Sequence, residues 1–180
     1  MKRPALSLQG QALALLSRRE HSRAELRIKL LQHAAKIAQA EAAACEGGDS
    51  APAPAPDRDD RRLGLARLGA EVDALLDWLQ AHNFQSDTRF LESRVHSRAG
   101  QHGQARIRHE LARLGVEMDA ETAAGLRASE YERAHGVWLR RFGEQASDAA
   151  GQARQTRFLA ARGFSAEIVR RIVGGKQQTE

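Results

Sequence analysis

Apolar residues recur every three or four positions along most of this 180-residue chain, with polar residues between them. That spacing builds helices with one buried face. Ser7 predicts an N-cap, followed by a helix to about Arg19 with Leu8, Ala12, Leu13 and Leu16 facing inward. Ser22 and Glu25 form a capping box, predicting a second helix that runs toward Ala43. Order is expected to resume by about Glu71, where Val72, Leu75, Leu76 and Leu79 repeat at helical spacing. Ser86-Asp87, Asp119, Ser129, Ser147-Asp148 and Ser165 each predict a further helix start. Phe90, Leu91 and Val95 give the fourth helix its apolar side. Val137, Trp138 and Phe142 do so for the seventh, and Ile168, Ile172 and Val173 for the ninth. No segment reads as a strand. The expected fold is all-α, with nine helices in three groups of three.

One short pattern recurs in each group. It reads SRAELRIKLL at residues 22–31, QARIRHELARLGV at 104–116 and QARQTRFLAARGF at 152–164. In the last two copies Arg106 and Arg154 each stand nine residues before a glycine, Gly115 or Gly163, and an apolar residue follows. A helix closed by a left-handed glycine has this form. Copies of one helical unit predict an elongated curved array that presents a surface, not a single catalytic cleft. Glu25 to Arg106 spans 81 residues, against 48 from Arg106 to Arg154. The difference is about the length of a stretch rich in alanine and proline, which includes Ala51-Pro52-Ala53-Pro54-Ala55-Pro56. It is expected to be a disordered insertion at about 44–66, lacking apolar surface to offset its ordering entropy. The expected repeats are 1–85, which contains the insertion, 86–128 and 129–180.

Charge changes the picture from scaffold to binding surface. The net charge is +5 with a pI near 10.1, and it is polarised. Residues 1–36 carry +6 and residues 151–180 carry +4, while 37–66 carry −3. Arginine outnumbers lysine 24 to 4, and the planar guanidinium fork suits phosphate and carboxylate. A polyanion or an acidic protein surface is the expected partner. With eight aromatic residues, the cores must be built mainly from Leu, Ala and Val, and Trp78 and Trp138 are expected inside them. Cys45 has no second cysteine to pair with and is expected in a loop, which points to a reducing compartment. No apolar run approaches the ~20 residues that cross a bilayer, and no signal-peptide pattern opens the chain, so a soluble cytoplasmic protein is expected.

Catalytic chemistry finds little support. Gly174-Gly175-Lys176 hints at a phosphate loop, but Arg170 and Gln177 stand where glycine and Ser or Thr are needed. The seven histidines show no metal-ligand spacing with one another or with Cys45. Ser22 beside His21 is better explained as a cap than as a nucleophile. No catalytic residue, metal or cofactor is expected.

Several segments together carry a resemblance. They are Leu15-Leu16-Ser17-Arg18-Arg19-Glu20-His21-Ser22-Arg23-Ala24-Glu25-Leu26, Asp77-Trp78-Leu79, Asp87-Thr88-Arg89-Phe90 with Ser93-Arg94-Val95, and Arg157-Phe158-Leu159-Ala160-Ala161-Arg162-Gly163-Phe164. In that order, across nearly the whole chain, they resemble the bacterial recombination regulators of the RecX family. The resemblance implies tandem three-helix repeats and binding to the RecA nucleoprotein filament. It also implies restraint of RecA's ATPase and strand-exchange activities in recombination and the SOS response, and in many members binding to DNA. The chain departs from the family pattern twice: Ala34-Ala35-Lys36-Ile37 stands where a glycine turn is usual, and the insertion is long.

Binding candidates follow from the arginines. Arg18, Arg19, Arg23 and Arg27 cluster around the first helix break, Arg106 and Arg108 lie in the second copy of the motif, and Arg154, Arg157, Arg162, Arg170 and Arg171 lie over the last two helices. They are expected to contact the RecA filament or the phosphate backbone of single- and double-stranded DNA, in a monomer with no membrane contact. A rival reading is a helical DNA-binding transcriptional regulator, although no helix offers the Asn, Gln and Arg mixture suited to base edges.

Overall fold

The computed structural model describes residues 6–45 and 57–175, with nine helices and no strand among them. The chain divides into two compact units, residues 1–90 and 91–180.

In the first unit, Ser7 Oγ accepts the Gly10 N–H at 3.1 Å and starts α1 (Leu8–Leu16). This helix stops short of Arg19. At the start of α2 (Arg23–Cys45), Ser22 Oγ accepts the Glu25 N–H at 3.1 Å, as the capping box predicts. The Glu25 carboxylate takes both nitrogens of the Arg19 fork, at 3.0 and 2.5 Å. Ion pairing to a neighbouring guanidinium thus fixes the chain where α1 gives way to α2. Helix α2 runs unbroken through Ala34-Ala35-Lys36-Ile37, since no glycine offers a left-handed exit. Cys45, expected in a loop, is its last residue.

Helix α3 (Arg58–Ala81) begins well before Glu71, so residues 58–66 of the expected insertion are helical; residues 46–56 lie outside the described residues. The cause is local. The Asp57 carboxylate accepts the Arg58 N–H, and Asp59 and Asp60 place negative charge in the first turn. Packing contributes little there, for Leu63 and Leu65 are about 70% exposed. The core of this unit is Ala12, Leu26, Leu30, Val72, Leu76 and Leu79, all fully buried.

Three helices end the same way. After α3, Asn83 takes φ +58, and the Phe84 N–H reaches back to the Leu79 carbonyl at 2.9 Å. The Val116 N–H does so to Leu111 past Gly115, and the Phe164 N–H to Leu159 past Gly163. Each is the Schellman closure, in which a left-handed residue lets the chain satisfy the last carbonyls. The two glycines are expected from the sequence; Asn83 is not, and its short polar side chain tolerates the same conformation. Phe84 is left exposed, and Trp78, expected in the core, lies exposed and stacked against Phe84 and His82.

Ser86 Oγ accepts the Arg89 N–H at 3.3 Å to start α4 (Asp87–Ala99), within which the two units divide. The second unit continues through α5 (Gln104–Arg113), α6 (Ala120–Ala128), α7 (Glu130–Phe142), α8 (Ala149–Ala160) and α9 (Ala166–Val173). Asp119 and Asp148 cap α6 and α8 through their carboxylates. Ser129 and Ser165 stand at the expected starts of α7 and α9 but make no side-chain cap. The Ser129 hydroxyl donates to the Gly125 carbonyl, and the Ser165 hydroxyl and N–H both donate to buried Glu130. Glu130, at the first turn of α7, therefore fastens the start of α9.

The core of α7, α8 and α9 joins Ala134, Val137, Trp138, Leu159, Phe164, Val169, Ile172 and Val173. Phe158 packs against it only partly buried, its ring edge-on to Phe142 at 5.0 Å. Arg133 ties the rest together. Its guanidinium donates to the carbonyls of Ala99, His102 and Leu126, and to Ser129 Oγ. These acceptors lie at or near the C-terminal ends of α4 and α6, where a cation meets the negative end of each helix dipole. Burial is the main influence pushing the Arg133 pKa down.

Candidate polyanion-binding surface

The arginines expected to bind a partner separate into two kinds. Around the first helix break most of their charge is used internally. Arg19 holds Glu25. Arg23 pairs with Asp77 at 2.7 Å and donates to Gln80 Oε1 at 2.5 Å. Arg27 makes a two-pronged pair with Asp73 at 2.6 and 3.0 Å, which holds the Asp73 carboxyl below its usual range. The last two arginines thus fasten α2 to α3. Arg18 is exposed and makes no ion pair among the described residues.

In the second unit the arrangement differs. Arg108, Arg154 and Arg157 are exposed, and none has a side-chain hydrogen bond or ion pair among the described residues. Arg154 and Arg157 stand one turn apart on α8, while Gln155 and Leu159 of the same helix are buried. Arg162 lays its guanidinium over the Phe158 ring at 3.6 Å, and Arg171 lies over Tyr131 at 4.2 Å. Arg170 donates to the Ala166 carbonyl of its own helix. Arg162 also lines a cleft of about 490 Å³ together with Arg140 and Arg141.

Arg106 belongs to a second cleft, of about 510 Å³, along α5. Arg98, His102, His109, Glu110 and Arg113 line it with Arg106, and Ala160, Ala161 and Gly163 form its small-residue wall. Glu110 receives both Arg94 and Arg98, at 3.0 and 2.9 Å. Arg106 donates to the Ala161 carbonyl at 2.9 Å, a neutral acceptor that leaves its charge uncompensated. Burial foremost, then the charges of Arg106 and Arg98, push the His102 pKa below its ordinary value. Of these residues only Arg106 is a binding candidate on sequence grounds. The signal is nonetheless present: Arg106, His109, Glu110 and Arg113 fall at i, i+3, i+4 and i+7, one polar stripe on a helix.

Among the described residues, no three His, Cys, Asp or Glu side chains come together as metal ligands. Gly174 and Gly175 close the C-terminus of α9, whereas a phosphate loop opens a helix; Lys176 lies outside the described residues. No described helix is long and apolar enough to cross a membrane.

The helices and their surface arginines define an all-α helical-repeat protein, and comparison with known proteins gives its family. Residues 86–121 match the model of the second three-helix domain of RecX, and residues 128–173 that of the third. The regulatory protein RecX of Ralstonia pickettii (strain 12J) is 42% identical over 180 residues, covering 99% of this chain and 93% of the relative. The one from Ralstonia nicotianae (strain ATCC BAA-1114 / GMI1000) is 44% identical over 177 residues, covering 97% and 91%. That of Leptothrix cholodnii (strain ATCC 51168 / LMG 8142 / SP-6) is 43% identical over 173 residues, covering 95% and 90%. The chain belongs to the RecX family of regulatory proteins.

Proposed function

We propose that the chain binds the RecA nucleoprotein filament and restrains its ATPase and strand-exchange activities in the cytoplasm, catalysing no reaction itself. The observation that carries this reading is the outward face of α8. Arg154 and Arg157 stand there exposed, with no acidic partner among the described residues. An arginine whose charge is not answered within its own fold is available to phosphate or carboxylate. Arg108 adds a third such group on α5. Arg19, Arg23 and Arg27 are assigned to the fold rather than to a partner, because carboxylates already hold them. The chain acts as a monomer of three tandem repeats, 1–85, 86–128 and 129–180. Several weak contacts linked in one chain give avidity above that of any single contact. DNA contact runs through backbone phosphates, which is indifferent to base sequence.

The test is RecA ATPase on single-stranded DNA with this protein titrated in, alongside the folded double variant Arg154→Glu/Arg157→Glu. Wild type slows hydrolysis at or below equimolar ratios, and the variant, with unchanged helix content, needs at least about tenfold more protein. On the order of six phosphate contacts would lose about a thousandfold in DNA affinity between low and moderate salt, alike for specific and random sequences. Undiminished inhibition by the variant removes the α8 face from the interface. A wild type without effect on RecA at any ratio overturns the whole reading.

A further inference from the structure

We infer that the cleft along α5 is a binding site for phosphodiester groups of a nucleic-acid backbone, seated among Arg98, Arg106 and Arg113; this rests on the DNA-binding half of the function proposed above. Three guanidiniums converge on one volume whose only carboxylate among the described residues, Glu110, is already shared between Arg98 and Arg94. Arg106 spends a hydrogen bond on a neutral carbonyl, so its charge remains available.

The cleft also holds unmet hydrogen-bonding groups. Arg98 Nε and His102 Nδ1 are buried without a hydrogen-bond partner. Buried polar atoms are rarely left so, and both residues line the cleft. An anion's oxygens supply acceptors of the kind the Arg98 Nε–H lacks.

Shape separates nucleic acid from protein. The rest of the lining is Ala160, Ala161 and Gly163, so no large apolar side chain of the protein is there to receive an apolar anchor. Protein partners draw their affinity from such anchors, whereas a phosphate backbone needs none. About 510 Å³ lies within the range of about 300–1,000 Å³ that holds an organic ligand, so the cleft is wider than a lone anion needs. A length of strand fills it better.

His102 couples the site to protons. It is faced by Arg98 of α4, by Arg106 and Glu110 of α5, and by Arg162 beyond α8, and burial with the nearby cations lowers its pKa. A phosphate in the cleft favours the imidazolium, so binding takes up a proton and tightens as pH falls through the histidine range.

The full-length protein is titrated with a labelled oligothymidylate and with a random duplex while the ring signals of His102 and His109 are followed by NMR. Inorganic phosphate and ATP serve as separate arms. The oligonucleotide is expected to move both rings at concentrations well below those needed with inorganic phosphate or ATP. His109→Gln/Arg113→Gln, two exposed positions with no intramolecular partner among the described residues, should weaken it about tenfold. The same variant should lower the salt slope by about one contact. If ATP moves the rings at the lowest concentration, the phosphodiester assignment is overturned in favour of a nucleotide. If wild type binds DNA yet neither the ring signals nor the double variant respond, the cleft assignment fails and the DNA-binding reading stands. If wild type binds no DNA, both fall.

Discussion

Gly103 and Gly163 touch through their backbones. The Gly103 N–H donates to the carbonyl of Arg162 at 2.9 Å, and a Cβ on Gly103 would collide with the Gly163 carbonyl. Gly163 is doubly restricted: its φ is +82, and a Cβ there would stand 2.6 Å from the Arg106 nitrogen. Gly143 has φ +75 but open space around it. Alanine at Gly143 should therefore cost only the backbone strain of φ +75 with ψ −46, about 1.5 kcal/mol. At Gly103 it should cost about 2 kcal/mol through overpacking alone. At Gly163, where both causes act, about 3 kcal/mol is expected. Urea midpoints of the three variants check the order; equal losses would show that the close approach is not rigid.

Neighbouring residues on α8 should differ in the same way. Leu159 is fully buried, so Leu159→Ala should cost about 3 kcal/mol. Phe158 faces inward on sequence pattern and would then cost as much, but it is only partly buried, covered on one side by the Arg162 guanidinium. Phe158→Ala should cost about half as much, on the order of 1.5 kcal/mol. A loss at Phe158 equal to that at Leu159 in equilibrium denaturation would place its ring in the core after all.

Stability should decline on mild acidification. Burial above all holds the pKa values of His21 and His102 below the ordinary histidine value. Between the lowered folded value and the unfolded value of about 6.5, the unfolded chain binds more protons. Stability is thus full above about pH 6.5 and falls as pH drops through that window. Asp119, held low by its hydrogen bonds to Thr122, contributes stability that is present above the unfolded carboxyl value and lost only below about pH 4. Urea midpoints measured from about pH 7.5 down to about pH 5.5 should decrease, and His102→Gln should flatten the slope. A wild-type midpoint that does not change across this range would contradict the lowered pKa values of both rings.

Local signals explain what could be foreseen. Ser7, Ser22, Asp119 and Asp148 act on N–H groups within three residues, and Gly115 and Gly163 close their own helices, so each effect is visible in a short window. What escaped depends on partners far along the chain. Arg23 and Arg27 look like free cations until Asp77 and Asp73, about fifty residues away, are folded against them. Periodicity places Trp78 beside Leu79, yet it cannot tell which of two adjacent positions faces the core. Arg133 reads as one basic residue among many, and only the meeting of helix ends around it gives it a role. The cleft along α5 escaped for a simpler reason. Arg106, His109, Glu110 and Arg113 form a stripe of mixed charge, which looks like an ordinary solvated face until the wall at Ala160 and Ala161 encloses it.

The pairing of α2 with α3 also bears on how the chain can change length. Partners descend in α3 as they ascend in α2: Arg23 meets Gln80 and Asp77, and Arg27 meets Asp73. The two helices are therefore antiparallel, and Cys45 and Asp57 emerge at the end remote from those pairs. Material added between them leaves the register of Leu26, Leu30, Val72 and Leu76 unaltered, and the closure entropy of a joining segment grows only logarithmically with its length. This joint is a natural port for cargo. A fluorophore or a small reporter domain spliced there would ride on the hairpin while the ion-paired base continued to set its geometry.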